Sequence, residues 1–315
     1  MSSFDVFLSN VSSNRPEFLN LMEQTGKVHG EARDKIKLDL PIWDDKFFHL
    51  EDSSVWKKLN LELKRTILFS LGQKILQEAY FIESAGMAYS GKMILTAKTH
   101  EERQFYCFVA EEEARHLRLL GTIGDFNTNP SQVPSFASLI GDIIQESSRK
   151  CHFLIIQVLL EGWGLDYYKD LSQNAQNENV SRAFKQILKD EIRHHSAGVI
   201  LYSEYSQMSE TEFAEFLKYL DRIGSMVKMG PYNVCRELFS RIKNPSQKIL
   251  RDFLEETQAV LHTEKKLVLI SDLLSKVLSQ REMEEISVKK ILNPMNLDSM
   301  AKVLYQSIPG IFPTL

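Results

Sequence analysis

The sequence predicts an all-α protein, and three observations predict it. Glycine (14) and proline (9) are sparse in 315 residues. Between them run long segments whose apolar residues recur at steps of three and four, the repeat of one helix face. A helix-start signal, Thr99 followed three residues later by Glu102, stands where one segment begins. Few turn residues over long periodic stretches mean long helices and few hairpins.

Residues 1–55 read as an irregular N-terminal segment, punctuated by Pro16, Gly26, Gly30, Pro41 and the acidic run beginning at Trp43. A long helix follows from about Val55 to Met93, its face marked by Leu68, Leu71, Ile75, Ala79, Ile82, Gly86 and Tyr89. The Thr99 cap opens a second helix, through about Gly121. Gly124 to Ser135 is a loop, and a third helix runs from about Phe136 to Leu171. The polar stretch Ser172 to Asn179 is a turn, and a fourth helix spans about Val180 to Tyr205. Two antiparallel helix pairs joined by a longer link are the outline of a four-helix bundle. The expected organisation is one domain over 1–315, with the bundle at 56–205. Residues 206–315 form a helical C-terminal extension, broken at Gly230-Pro231 and Asn244-Pro245.

Composition narrows the function. With 38 Lys and Arg against 42 Asp and Glu, the net charge is −4, which excludes nucleic-acid binding through bulk positive charge. Three widely spaced cysteines make a disulfide scaffold unexpected and suit a reducing cytoplasm. The N-terminal residues lack a basic stretch followed by an apolar run, so no secretory signal is expected. The longest apolar run, Phe153 to Leu165, contains Glu161 and is too short for a membrane span. Neither nucleic acid nor membrane is an expected partner.

The chemistry lies in two Glu-x-x-His motifs, Glu113-Ala-Arg-His116 on the second helix and Glu191-Ile-Arg-His194 on the fourth. Spacing of three puts a carboxylate and an imidazole one turn apart on one face, where both reach a single metal ion. Two matches alone are little above chance for a chain with 27 Glu and eight His. Their context adds weight, because each follows another acid (Glu112, Asp190) and each paired helix offers one more carboxylate. Glu161 is the only acid between Phe153 and Leu165. A bare buried carboxylate there costs several kcal/mol or takes up a proton. It stands 30 residues before Glu191, as Glu83 stands 30 before Glu113. Glu83 is therefore the preferred ligand on the first helix, with Glu78 as the alternative. Four glutamates and two neutral histidines sum to −4, which two divalent ions balance. Carboxylate and imidazole ligands suit iron or manganese.

These residues resemble the ferritin-like di-iron carboxylate superfamily. The resemblance covers about residues 65–205 and is strongest at 111–116, 159–164 and 189–195. The stretch Asp190-Glu191-Ile192-Arg193-His194-His195 is similar to the signature of soluble methane monooxygenase, ribonucleotide reductase small subunits and acyl-carrier-protein desaturases. Carried over, Glu83, Glu113, His116, Glu161, Glu191 and His194 are the ligands of two iron ions, with manganese as the alternative metal. Asp190 would orient His116, and Glu112 would orient His194. Leu119, Leu120 and Gly121 stand where the reductase subunits place a radical-forming tyrosine. The chain is similar in length and ligand order to arylamine N-oxygenases, but Ile187 stands where some of these carry a further histidine. The fold implied is a ferritin-like four-helix bundle with added N- and C-terminal helices. The function implied is an oxygenase or oxidase that uses O2 on a small organic substrate, with a ferredoxin or reductase as electron donor. A homodimer is compatible with this reading. A ferroxidase, iron-handling or peroxide-scavenging protein and a metal-free helical interaction protein are the competing readings.

Other residues carry blander expectations. His195 reads as a surface residue or as one that supports a ligand. His100 and His262 read as exposed, and His152 as a core or boundary residue. Trp163, Tyr167 and Tyr168 read as packing, and Cys107 and Cys151 as buried small hydrophobes. Gly162 and Gly164 either open room beside the metal or permit close helix packing.

Overall fold

The computed structural model describes residues 35–124, 126, 133–204, 208–243 and 245–308, with 15–17, 21 and 24 besides. Residues 125 and 127–132 of the expected loop and most of the N-terminal segment lie outside these. Among the described residues the regular structure is helical and contains no strand. No helix among them is long and apolar enough to cross a membrane. The chain divides into two compact units, residues 1–39 with 73–147, and residues 40–72 with 148–315.

The first helical turn, α1 (Ser54–Lys57), is capped by Ser53 and ends before the long helix α2 (Leu61–Thr96). The helix expected from Val55 is thus two pieces, because Asn60 caps a new start by accepting the Leu63 N–H at 2.8 Å. Helix α3 (His100–Ile123) begins at Thr99, whose hydroxyl accepts the Glu102 N–H at 3.1 Å. The Glu102 carboxylate accepts the N–H of Lys98 at 2.8 Å, one residue before the cap. Helix α4 (Ser135–Glu146) completes the first unit. Its last carbonyls are met by the Lys92 ammonium, which donates to Ile144 and, at 3.3 Å, to Gln145. A cation there offsets the negative end of the helix dipole. Tyr89 of α2 and Tyr106 of α3, both buried, meet edge to face with centroids 6.1 Å apart.

The third helix expected over 136–171 is broken. α4 stops at Glu146, and Ser147 is extended (φ −83°, ψ 160°), its hydroxyl donating back to Ile143 at 2.8 Å. Ser148 then caps the short turn α5 (Arg149–Cys151). Adjacent serines satisfy backbone groups with their own hydroxyls and so release the helix. The chain continues as a π-helical segment, His152–Leu160, into α6 (Glu161–Asn174) and then α7 (Glu178–Ser203), capped by Asn177. The π register is marked by the Glu161 N–H, which donates to Ile156 five residues back. Trp43, wholly buried, fixes the turn after α6. Its indole N–H donates to Leu171 at 3.0 Å, and the Gln176 N–H donates to Ile42 at 2.8 Å.

Residues beyond 206 form α8 (Glu210–Lys228), α9 (Tyr232–Phe239), α10 (Gln247–Glu256), α11 (Ala259–Ser275), α12 (Gln280–Val288) and α13 (Leu297–Ser307). One core joins Cys235, Leu238, Phe239, Leu250, Phe253, Leu254, Met300 and Leu304 to Trp56 and to Ile67 and Leu71 at the start of α2. All three cysteines are free thiols. Cys107 is exposed, against expectation, because it sits on the outer side of α3 beside exposed Phe108. Cys151 is buried, and burial pushes its thiol up to about 12, so it is an inert packing residue.

Candidate metal centre

Each unit brings one Glu-x-x-His motif together with one more glutamate. In the first unit, Glu83 comes from α2, and Glu113 and His116 from α3. All three are buried, and each offers a ligand atom within 4.8 Å of the others. His116 Nδ1 lies 2.8 Å from Glu83 Oε2 and 3.5 Å from Glu113 Oε2, with a ring N–H donating to the nearer carboxylate. Glu78 is half-buried and stands outside this group.

The second unit repeats the arrangement. Glu161, first residue of α6, joins Glu191 and His194 of α7, again with ligand atoms within 4.8 Å of one another. His194 Nδ1 lies 3.5 Å from Glu191 Oε2, the separation found at the first motif. Glu191 and His194 are buried, but Glu161 is only half-buried. The apolar run before it led to the opposite expectation. That run is π-helical, so the face it buries does not continue in α-helical register through residue 161.

The donor sets fit a metal ion. With metal–ligand bonds of about 2.1 Å, atoms at right angles lie about 3 Å apart and opposed atoms about 4.2 Å. The spacings of 2.8 and 3.5 Å fall close to that range, so small shifts of the side chains would admit an ion. Each triad carries two carboxylates and an imidazole, a charge of −2 that one divalent ion balances. Without an ion, the two buried carboxylates of the first triad, Glu83 and Glu113, are costly side by side.

The space is cut for these side chains. A Cβ on Gly86 of α2 would lie 2.7 Å from the Glu113 carboxylate, so glycine leaves the room that the carboxylate fills. Gly86 stands in the expected helix face, but its role depends on α3 and was not readable from it.

The flanking residues sort by helix face. Glu112 faces Arg115 at 3.8 Å, Glu111 faces Arg115 and Arg118, and Glu113 is the buried member of that run. Asp190 is buried and accepts from the Arg193 guanidinium at 2.7 Å. His195 is half-buried, and its Nδ1 lies 3.0 Å from the Gln157 carbonyl of the π segment. Gly162 permits close packing, since a Cβ there would meet His195 at 2.8 Å and Leu273 at 2.9 Å, whereas Gly164 faces open space. His152 is buried and His100 exposed. His262 is not exposed: its ring stacks on His49, centroids 3.7 Å apart, and burial, together with the charges of His49, Lys265 and Lys266, holds it down at about 4. Tyr168 is buried and stacks on Phe184.

No curated protein and no solved structure matches the chain. Residues 65–202 match the family described as the ferritin-like domain. That span begins on α2 before Glu83 and ends on α7 after His194, so it contains both triads. Helical throughout its described residues, with a Glu-x-x-His and a partner glutamate in each unit, the chain is thus similar over residues 65–202 to the ferritin-like domain.

Proposed function

We propose that this chain is a non-haem di-iron oxidoreductase, an O2-dependent oxygenase or oxidase of a small organic substrate. The observation that supports the reading best is the repetition of the triad. Two Glu-x-x-His motifs have the same 3.5 Å carboxylate–imidazole spacing, and each is completed by a glutamate from a neighbouring helix. Glu83, Glu113, His116, Glu161, Glu191 and His194 are proposed as the ligands of two ions. Six such ligands are those of di-iron and di-manganese carboxylate bundles. Bound iron supplies the electron transfer to O2 and the oxidising power toward the substrate. The carboxylates neutralise the ions and the imidazoles complete the ligand shell. Asp190 and Glu112 are proposed to hold the imidazole tautomers. A ferredoxin-like protein or a reductase is the proposed electron donor.

Ferrous loading under anaerobic conditions, desalting and elemental analysis test the reading, followed by a stoichiometric exposure to O2. About two irons per chain are expected, fewer in His116→Ala and in His194→Ala. No iron in the folded wild-type protein overturns the metal reading. Iron that is oxidised and accumulates far beyond two per chain overturns the oxygenase reading in favour of iron storage.

A further inference from the structure

Within the second unit, three contacts between the π segment and α7 centre on Gln157. The Gln157 side-chain amide, wholly buried, donates to the His194 carbonyl at 3.3 Å. The His195 imidazole meets the Gln157 carbonyl at 3.0 Å. A carbonyl oxygen only accepts, so His195 Nδ1 carries the proton. Gly198, one turn further, lets the segment come so close that an added Cβ would lie 2.3 Å from the Gln157 Cβ. Gln157 is therefore gripped through both its side chain and its carbonyl by the helix that carries Glu191 and His194.

That grip falls within a stretch of π register. A π segment inside an α-helix replaces the i→i−4 ladder by i→i−5 bonds, and the change of register between the two ladders gives outside donors a place to bond. It also rotates every later residue relative to uninterrupted α-helix. Glu161 is the first residue after the segment, and its own N–H makes the five-residue bond to Ile156. The direction in which the Glu161 carboxylate leaves the helix is therefore set by whether the segment stays in π register.

We propose that His195 is a positioning residue, whose Nδ1–H bond to the Gln157 carbonyl holds the π register that sets Glu161 beside Glu191 and His194. The consequence for metal binding rests on the proposed ligand set; the grip on the segment does not. The adjacent histidines thus divide the work, His194 facing the metal and His195 holding the helix that brings the last carboxylate.

Two measurements on His195→Ala and His195→Asn separate these levels. Amide hydrogen exchange of the metal-free protein reads the grip. His195→Ala is expected to speed exchange across residues 156–162 by about three- to tenfold, the range for one lost hydrogen bond. His195→Asn, whose amide nitrogen occupies the place of Nδ1, is expected to restore wild-type exchange. Cobalt(II) titration followed by visible absorption reads the consequence. His195→Ala is expected to weaken the affinity of one cobalt of two by about 10- to 100-fold and to change its spectrum at saturation, with Asn again restoring both. Unchanged exchange in His195→Ala overturns the proposal. So does an Asn variant that behaves like Ala, because the hydrogen bond is then not the means. Faster exchange with unchanged cobalt binding also overturns it, since Glu161 then needs no such hold. Wild-type protein that takes up no cobalt overturns the ligand set instead, and the exchange data still decide the grip.

Discussion

Gly86→Ala separates metal binding from folding. The position lies in the interior of α2, where alanine is favoured over glycine by about 0.5–1 kcal/mol. The new Cβ would lie 2.7 Å from the Glu113 carboxylate carbon. Contact between carbons needs about 3.5 Å or more, so the carboxylate must retreat by roughly 0.8 Å. It stands at the end of a flexible side chain, and an off-rotamer shift of that size costs about 0.5–1.5 kcal/mol. The two effects nearly cancel, so the metal-free variant should melt within a few degrees of wild type. The metal responds differently, because ligand distances are fixed to about 0.2 Å. Loss of affinity for the first triad by about 10- to 100-fold is expected. Gly91→Ala is the matched control: it lies in the same helix, and a Cβ there meets nothing within 4 Å. It should keep wild-type affinity. Melting curves in a chelator and ferrous or cobalt titrations of the three proteins provide the test. Wild-type affinity in Gly86→Ala would refute the placement of the Glu113 carboxylate as a ligand. A large fall in apo-protein melting temperature would show that more than a carboxylate fills the space.

Three further outcomes are expected. Gly198→Ala should destabilise the protein by about 1–3 kcal/mol, because its Cβ would meet Gln157 backbone atoms at 3.2 and 3.3 Å as well as the Cβ at 2.3 Å; an unchanged urea midpoint would contradict the close approach. His116→Ala and His194→Ala should each weaken one metal of two, and full stoichiometry at wild-type affinity in both would remove them as ligands. Stability should fall as pH drops from 6.5 toward 4, because His262 is held at about 4 in the fold against an ordinary 6.5. In that window the unfolded chain binds the proton and the folded one does not, so unfolding becomes easier. His262→Gln should flatten that part of the urea-midpoint profile, and an unaltered slope would exclude the stacked pair as its source.

What could be read from the sequence was what is local along the chain. Three-residue spacing places Glu113 with His116 and Glu191 with His194 on one face whatever surrounds them, and the long helices α2, α3 and α7 follow from their own periodicity. The equal 30-residue intervals drew attention to Glu83 and Glu161 because two paired helices of similar length bring such positions near. The break at Ser147-Ser148 was missed because a continuous apolar run resumes directly beyond it. The π register was missed because an apolar run carries no periodic mark that tells π from α. Gly86, Gly198 and the His195–Gln157 bond depend on residues 27 to 41 positions away, and only packing reveals which glycine faces what. The stacking of His262 on His49 joins chain segments too distant for any window to see.

The ferritin-like match starts at residue 65, within α2, but the support of that helix does not stop at the limits of the match. Ile67 and Leu71, at its start, are seated among Leu238, Phe253, Met300 and Leu304, all contributed from beyond residue 202. Excised alone, 65–202 would leave those two side chains in water at about 1.5–3 kcal/mol each. The recognisable piece is therefore not the autonomous one. A homologue that lost its last helix would be expected to fray first at the base of α2, the helix that bears Glu83, long before any ligand had changed.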